Sequence, residues 1–171
     1  MSVEQELEEH SHHAREPFDK RVAASMALIA ALLAIVSVFG HILTTEELLH
    51  QQKASDQWAY SQAKDIRHYV AQVAHDVLQG SQRTEFADKY GLDDKRYKQD
   101  TATIQEKARE FENESERAGH RAFRMHIGEV FLEIAIVLSS LAILTKRNFM
   151  WLVALISAAI GSITALTALF V

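Results

Sequence analysis

The stretch Val22–Leu43, VAASMALIAALLAIVSVFGHIL, contains no Asp, Glu, Lys or Arg. At about 1.5 Å of rise per helical residue it is long enough to cross a hydrocarbon core of roughly 30 Å. Two further apolar stretches, Ile127–Thr145 and Phe149–Val171, lie near the end of the chain. The reading is an all-α integral membrane protein: a tail at residues 1–16, spans at 17–43, 127–145 and 149–171, and a charged extramembrane segment at 44–126. The lipid bilayer is the first partner this implies.

Composition narrows the rest. The chain has 171 residues, and its mean hydropathy near zero averages two very different populations. Lys and Arg number 18 against 23 Asp and Glu, which leaves no basic footprint for nucleic acid. With no cysteine, disulfides, zinc thiolates and thiol catalysis are excluded. Residues 1–16 are rich in Glu and His, too polar to bury a core, and are expected to form a mobile tail. About twenty polar residues precede the first apolar run with no small-residue cleavage site after it, so that run reads as a retained span rather than a signal peptide.

Arg15, Lys20 and Arg21 precede the apolar run of the first span, and Lys146 and Arg147 sit between the second and third. Basic residues beside span ends favour the cytoplasm, so the N-terminus is expected inside, with the segment 44–126 and the C-terminus outside. Arg117, Arg121 and Arg124 oppose that orientation, but long loops cross largely regardless of charge.

No proline occurs after Pro17, and no glycine lies between Gly40 and Gly80. A helix therefore runs outward from the first span, with Thr44 and Glu47 spaced as a capping box that marks a helix start or a kink. Ala59, Ala63, Ile66, Val70, Val73 and Val77 recur at spacings of four and three, the pattern of a coiled-coil seam. In the second arm Tyr97, Thr101, Ile104, Ala108, Phe111, Ser115, Ala118, Ala122 and Met125 keep the same alternation. With a turn expected near 80–94, the two arms predict an antiparallel helical hairpin about 50 Å long. So little core in a two-helix hairpin points to further burial against copies of the chain or another protein.

Three strings carry a resemblance: Pro17-Phe18-Asp19-Lys20-Arg21-Val22, Lys53-Ala54-Ser55-Asp56-Gln57-Trp58-Ala59-Tyr60 with Gln62-Ala63-Lys64, and Gly128-Glu129-Val130-Phe131-Leu132-Glu133-Ile134-Ala135. From about residue 10 onward the chain resembles small bacterial membrane proteins classed as domain of unknown function 4337. The resemblance implies a bacterial cytoplasmic (inner) membrane protein. It brings no catalytic or transport assignment and no functional residues.

Glu129 and Glu133 are two carboxylates at helical spacing within the second span, where an ionised group costs at least a few kcal/mol. His126 lies one turn before Glu129, and His41 is near the outer end of the first span. A cluster of Glu129, Glu133, His126 and His41 is the candidate intramembrane polar site, read as a structural hydrogen bond or ion pair, as a proton or cation path, or as a bound-metal site. Glu47 and His50 match one half of a carboxylate-bridged metal site, but no second copy of the motif exists. No phosphate-binding glycine loop, nucleophile elbow or paired catalytic histidine is present, so no catalytic, cofactor or metal residues are assigned. Small residues recur every fourth position at Ala23, Ala27 and Ala31 and at Ser157, Gly161 and Ala165, which suits self-association or ordinary packing within one chain. The expectation is a non-enzymatic homo-oligomeric scaffold; the alternative is an oligomeric ion or proton channel component.

Overall fold

The computed structural model describes residues 17–81 and 83–170. The tail expected at 1–16 and the final residue of the third apolar stretch, Val171, lie outside them. Among the described residues there is no strand. Helix α1 runs Pro17–Gly80, α2 Thr84–Thr145 and α3 Asn148–Thr167, and a short 3₁₀ turn, Ala168–Phe170, follows. All three helices carry a window long and apolar enough to cross a membrane.

Pro17 occupies the first helical position, where its missing N–H leaves no bond unmade. Thr44 does not restart the helix. Its hydroxyl donates to the Gly40 carbonyl, 3.0 Å away and one turn back, a bond made inside a continuing helix. The break between α1 and α2 is shorter than the turn expected near 80–94, since only residues 81–83 separate the two helices. The Ser81 N–H donates to the carbonyls of Val77 and Leu78, and the Arg83 N–H to that of Leu78, which satisfies two of the last four carbonyls of α1. Gly91, read as part of the turn, lies inside α2. A Cβ there would sit 3.1 Å from His75 Cδ2, so this glycine permits close approach rather than chain reversal. Between α2 and α3 the chain turns at Lys146, whose φ of 54° is the only positive value at a described non-glycine residue.

Two compact units make up the chain. The first contains residues 17–44 and 119–170. Every seventh residue of α1, Val22, Ile29, Val36 and Leu43, is buried in it. The opposing core is built largely from small side chains, including Ala122, Ala135, Ala158 and Ala165, together with Met125 and Leu132. Ser157 donates to the Phe131 carbonyl at 2.8 Å, and Trp151 Nε1 donates to Ser25 Oγ at 3.0 Å. Ser157, Gly161 and Ala165 are therefore used in packing α3 on α2, whereas Ala23, Ala27 and Ala31 are exposed.

The second unit, residues 45–118, pairs α1 with α2. Its contacts join rising numbers on α1 to falling numbers on α2: Glu47 with Ser115, Lys64 with Asp100, and His75 with Gly91. On α2, Thr101, Ile104, Ala108 and Ala118 are buried and Phe111 is partly so. On α1 the face differs from the seam read in the sequence. Ala59, Ala63, Ile66, Val70 and Val73 are exposed, as is Val77. The residues turned inward are His50, Ala54, Gln57, Ser61, Lys64, His68, Ala71 and His75. They keep the same alternation of four and three, but their phase lies about 165° around the helix at 100° per residue. Polar side chains win this face because α2 supplies acidic partners for them.

Candidate functional site

In the first unit, Ser37, His41 and Thr44 recur on α1 at spacings of four and three, and His126 and Glu129 follow at three on α2, so each set shares one helix face. Glycine at position 40 leaves room for the imidazole between them; a Cβ there would lie 3.3 Å from His126 Cε1. His126 Nε2 is 3.1 Å from Thr44 Oγ1, and His126 Nδ1 is 3.1 Å from Glu129 Oε2. Ser37 on α1 lies beside the Glu129 carboxylate. The His41 ring meets the His126 ring edge-on, with centroids 6.3 Å apart.

Thr44 Oγ1 thus has two partners, the Gly40 carbonyl, to which its hydroxyl donates, and His126 Nε2, while His126 Nδ1 faces a Glu129 carboxylate oxygen. Which ring nitrogen donates follows the tautomer, and in each case His126 links Thr44 on α1 to Glu129 on α2.

Glu133 does not join them. It is exposed, because a four-residue step advances a helix by about 40° beyond a full turn and carries the side chain from the rim of the buried face outward. The sequence-derived cluster is thus reduced to Glu129, His126 and His41, with Thr44 and Ser37 added. Both additions share the 3-4 spacing of His41, a signal that was present in the sequence. Among the described residues no three His or carboxylate side chains converge as a metal site.

A second polar array lies in residues 45–118. Lys64 Nζ donates to Asp100 Oδ2 at 2.8 Å, and Trp58 Nε1 donates to Glu112 Oε1 at 2.8 Å. His50 Nδ1 is 2.8 Å from Glu114 Oε2, and His68 Nδ1 lies against Asp94 Oδ1; both contacts are off the axis of a directed hydrogen bond. The hydrogen bond to Asp100 holds the Lys64 ammonium above the ordinary lysine value. Sequence reasoning missed this array. Its signal was a run of basic and polar residues at 3-4 spacing on α1 facing Asp94, Asp100 and Glu114 on α2.

One surface depression is lined by Ala102, Glu106, Arg109, Glu110, Asn113 and Arg117, all exposed on α2. Nothing in it combines a nucleophile, a base and an orienting group. No curated protein and no solved structure matches the chain. One family model does, over residues 18–171, and the chain belongs to that family, described as Domain of unknown function (DUF4337).

Proposed function

We propose that this chain is a non-enzymatic, homo-oligomeric integral membrane protein that presents an antiparallel helical hairpin as a scaffold or docking element. The observation that carries the reading is an inverted distribution of side chains. Alanines make up half of the buried core cluster of the first unit, while Leu28, Ile35, Leu144, Phe149 and Ile163 are more than half exposed. Only 17%, 28% and 33% of the apolar windows of α1, α2 and α3 are buried within the chain. A water-soluble bundle would place those large side chains inside; a bilayer accepts them outside.

The hairpin reading is supported by the opposed numbering of the contacts between Glu47 and Ser115, Lys64 and Asp100, and His75 and Gly91. Self-association is supported by the exposed small stripe Ala23, Ala27 and Ala31. The family and the basic residues Lys20, Arg21, Lys146 and Arg147 support a bacterial inner-membrane location with a cytoplasmic N-terminus and a periplasmic hairpin and C-terminus. No cofactor or nucleic-acid partner enters this reading.

A second reading is favoured by one observation: the 3.1 Å contact between His126 Nδ1 and Glu129 Oε2 in an apolar setting. An oligomeric proton or cation pathway would use that pair. Reconstitution into liposomes separates the two. The scaffold reading expects no proton or cation flux above that of empty liposomes, whereas flux abolished by Glu129→Gln would replace it with the pathway reading.

A further inference from the structure

We propose that the exposed stripe Ala59, Ala63, Ile66, Val70, Val73 and Val77 on α1 is the contact between copies of this chain, packed in parallel as an assembly of three or more. This rests on the membrane scaffold reading and names the surface through which it assembles. Ile66, Val70, Val73 and Val77 are each 62–65% exposed, although the side chains on the opposite face of the same helix are polar and turned inward. Together they form an apolar patch on the order of 400 Å² in a charged part of the chain, at the size where such patches mark interaction sites.

The spacing identifies the occupant as a second copy. The stripe holds a 4-3-4-3-4 spacing without a slip, and an unbroken 3.5-residue repeat is matched by another helix carrying the same repeat. Copies inserted the same way in one membrane carry their α1 helices in the same direction, so the pairing is parallel and in register.

The heptad letters then follow. Ala63, Val70 and Val77 take position a, and Ala59, Ile66 and Val73 take position d. In a parallel pairing Gln62 faces Arg67 and Tyr69 faces Ala74, so no like charges meet across the seam. Parallel dimers favour leucine at d. The β-branched pairs Val70–Val77 at a and Ile66–Val73 at d favour three or more strands over two.

The test uses the full-length chain extracted in mild detergent. Native mass spectrometry gives the copy number of the parent, of Val70→Lys and of the milder Val70→Ser, with circular dichroism to check helix content. Because the chain lacks cysteine, single-cysteine variants can be oxidised without background. The proposal expects three or more copies in the parent and fewer in Val70→Lys. It also expects rapid cross-linking of Ile66→Cys and Val70→Cys but not of Gln72→Cys, which sits on another exposed face. If the parent is oligomeric but Val70→Lys keeps its copy number and cross-linking runs through Gln72→Cys, this interface is overturned while the homo-oligomer reading stands. A parent dimer overturns the higher-order assignment. A monomeric parent overturns both the interface and the homo-oligomer reading. Should Val70→Lys lose its helix content, Val70→Ser and the cysteine variants decide.

Discussion

Gly128 and Gly161 meet backbone to backbone where α2 crosses α3. A Cβ added at Gly128 would lie 2.7 Å from the Gly161 carbonyl oxygen, and one added at Gly161 would lie 2.7 Å from the Gly128 carbonyl oxygen. The obstacle is backbone in both cases, which cannot move aside as a flexible side chain could. Gly161→Ala should therefore destabilise the first unit by about 1–3 kcal/mol, read as a lower melting temperature in detergent. Gly80→Ala is the control, since its Cβ would meet nothing within 4 Å; it should be neutral or stabilising by up to about 1 kcal/mol. Equal effects at the two sites would contradict this packing.

The Lys64 pair gives a pH dependence of known sign. The hydrogen bond to Asp100 raises the folded-state pKa of the ammonium above its unfolded value. Its contribution is present below the ordinary lysine value of 10.5 and is lost as pH rises through the raised folded value. Thermal melts of the full chain between about pH 9 and 12 should show an alkaline fall in stability that is smaller in Lys64→Gln. An identical fall in both proteins would remove Lys64 as its source.

The two carboxylates of the second apolar stretch should behave differently. Glu129→Leu removes the partner of His126 Nδ1 and should cost about 1–3 kcal/mol. Glu133→Leu removes an exposed carboxylate from an apolar surface and should leave stability unchanged or raise it. Comparison of the two melts in detergent checks this, and a larger loss for Glu133→Leu would show that the exposed carboxylate has a partner after all.

Orientation is tested at the connection between α1 and α2. A cysteine at Gly80, where added atoms meet nothing, should react with a membrane-impermeant maleimide added from the periplasmic side of bacterial cells. Labelling only after the cytoplasm is opened would invert the proposed topology.

The all-helical character and the three long apolar helices were legible because proline and glycine are scarce and the apolar runs are long. The inner face of α1 in residues 45–118 was not. Ile66, Val70 and Val73 satisfy the rule that apolar residues face inward, and that rule fails where His68 and Lys64 find acidic partners in Asp94 and Asp100. The site was partly legible for a related reason. Helical spacing alone put Glu129 and Glu133 on one face, but only the packed helices decide that Glu129 lies at the rim and Glu133 beyond it. Gly91 shows the same limit: a residue type that breaks helices elsewhere is retained in α2 because His75 needs the space.

The central claim is that the exposed apolar surface of the first unit is covered by lipid. Alkaline carbonate extraction of membranes from cells expressing the full-length chain tests it most directly, because it strips proteins held by charge or by partners and leaves those that span the bilayer. The chain should stay in the membrane pellet and become soluble only with detergent. Release into the carbonate supernatant would contradict the account.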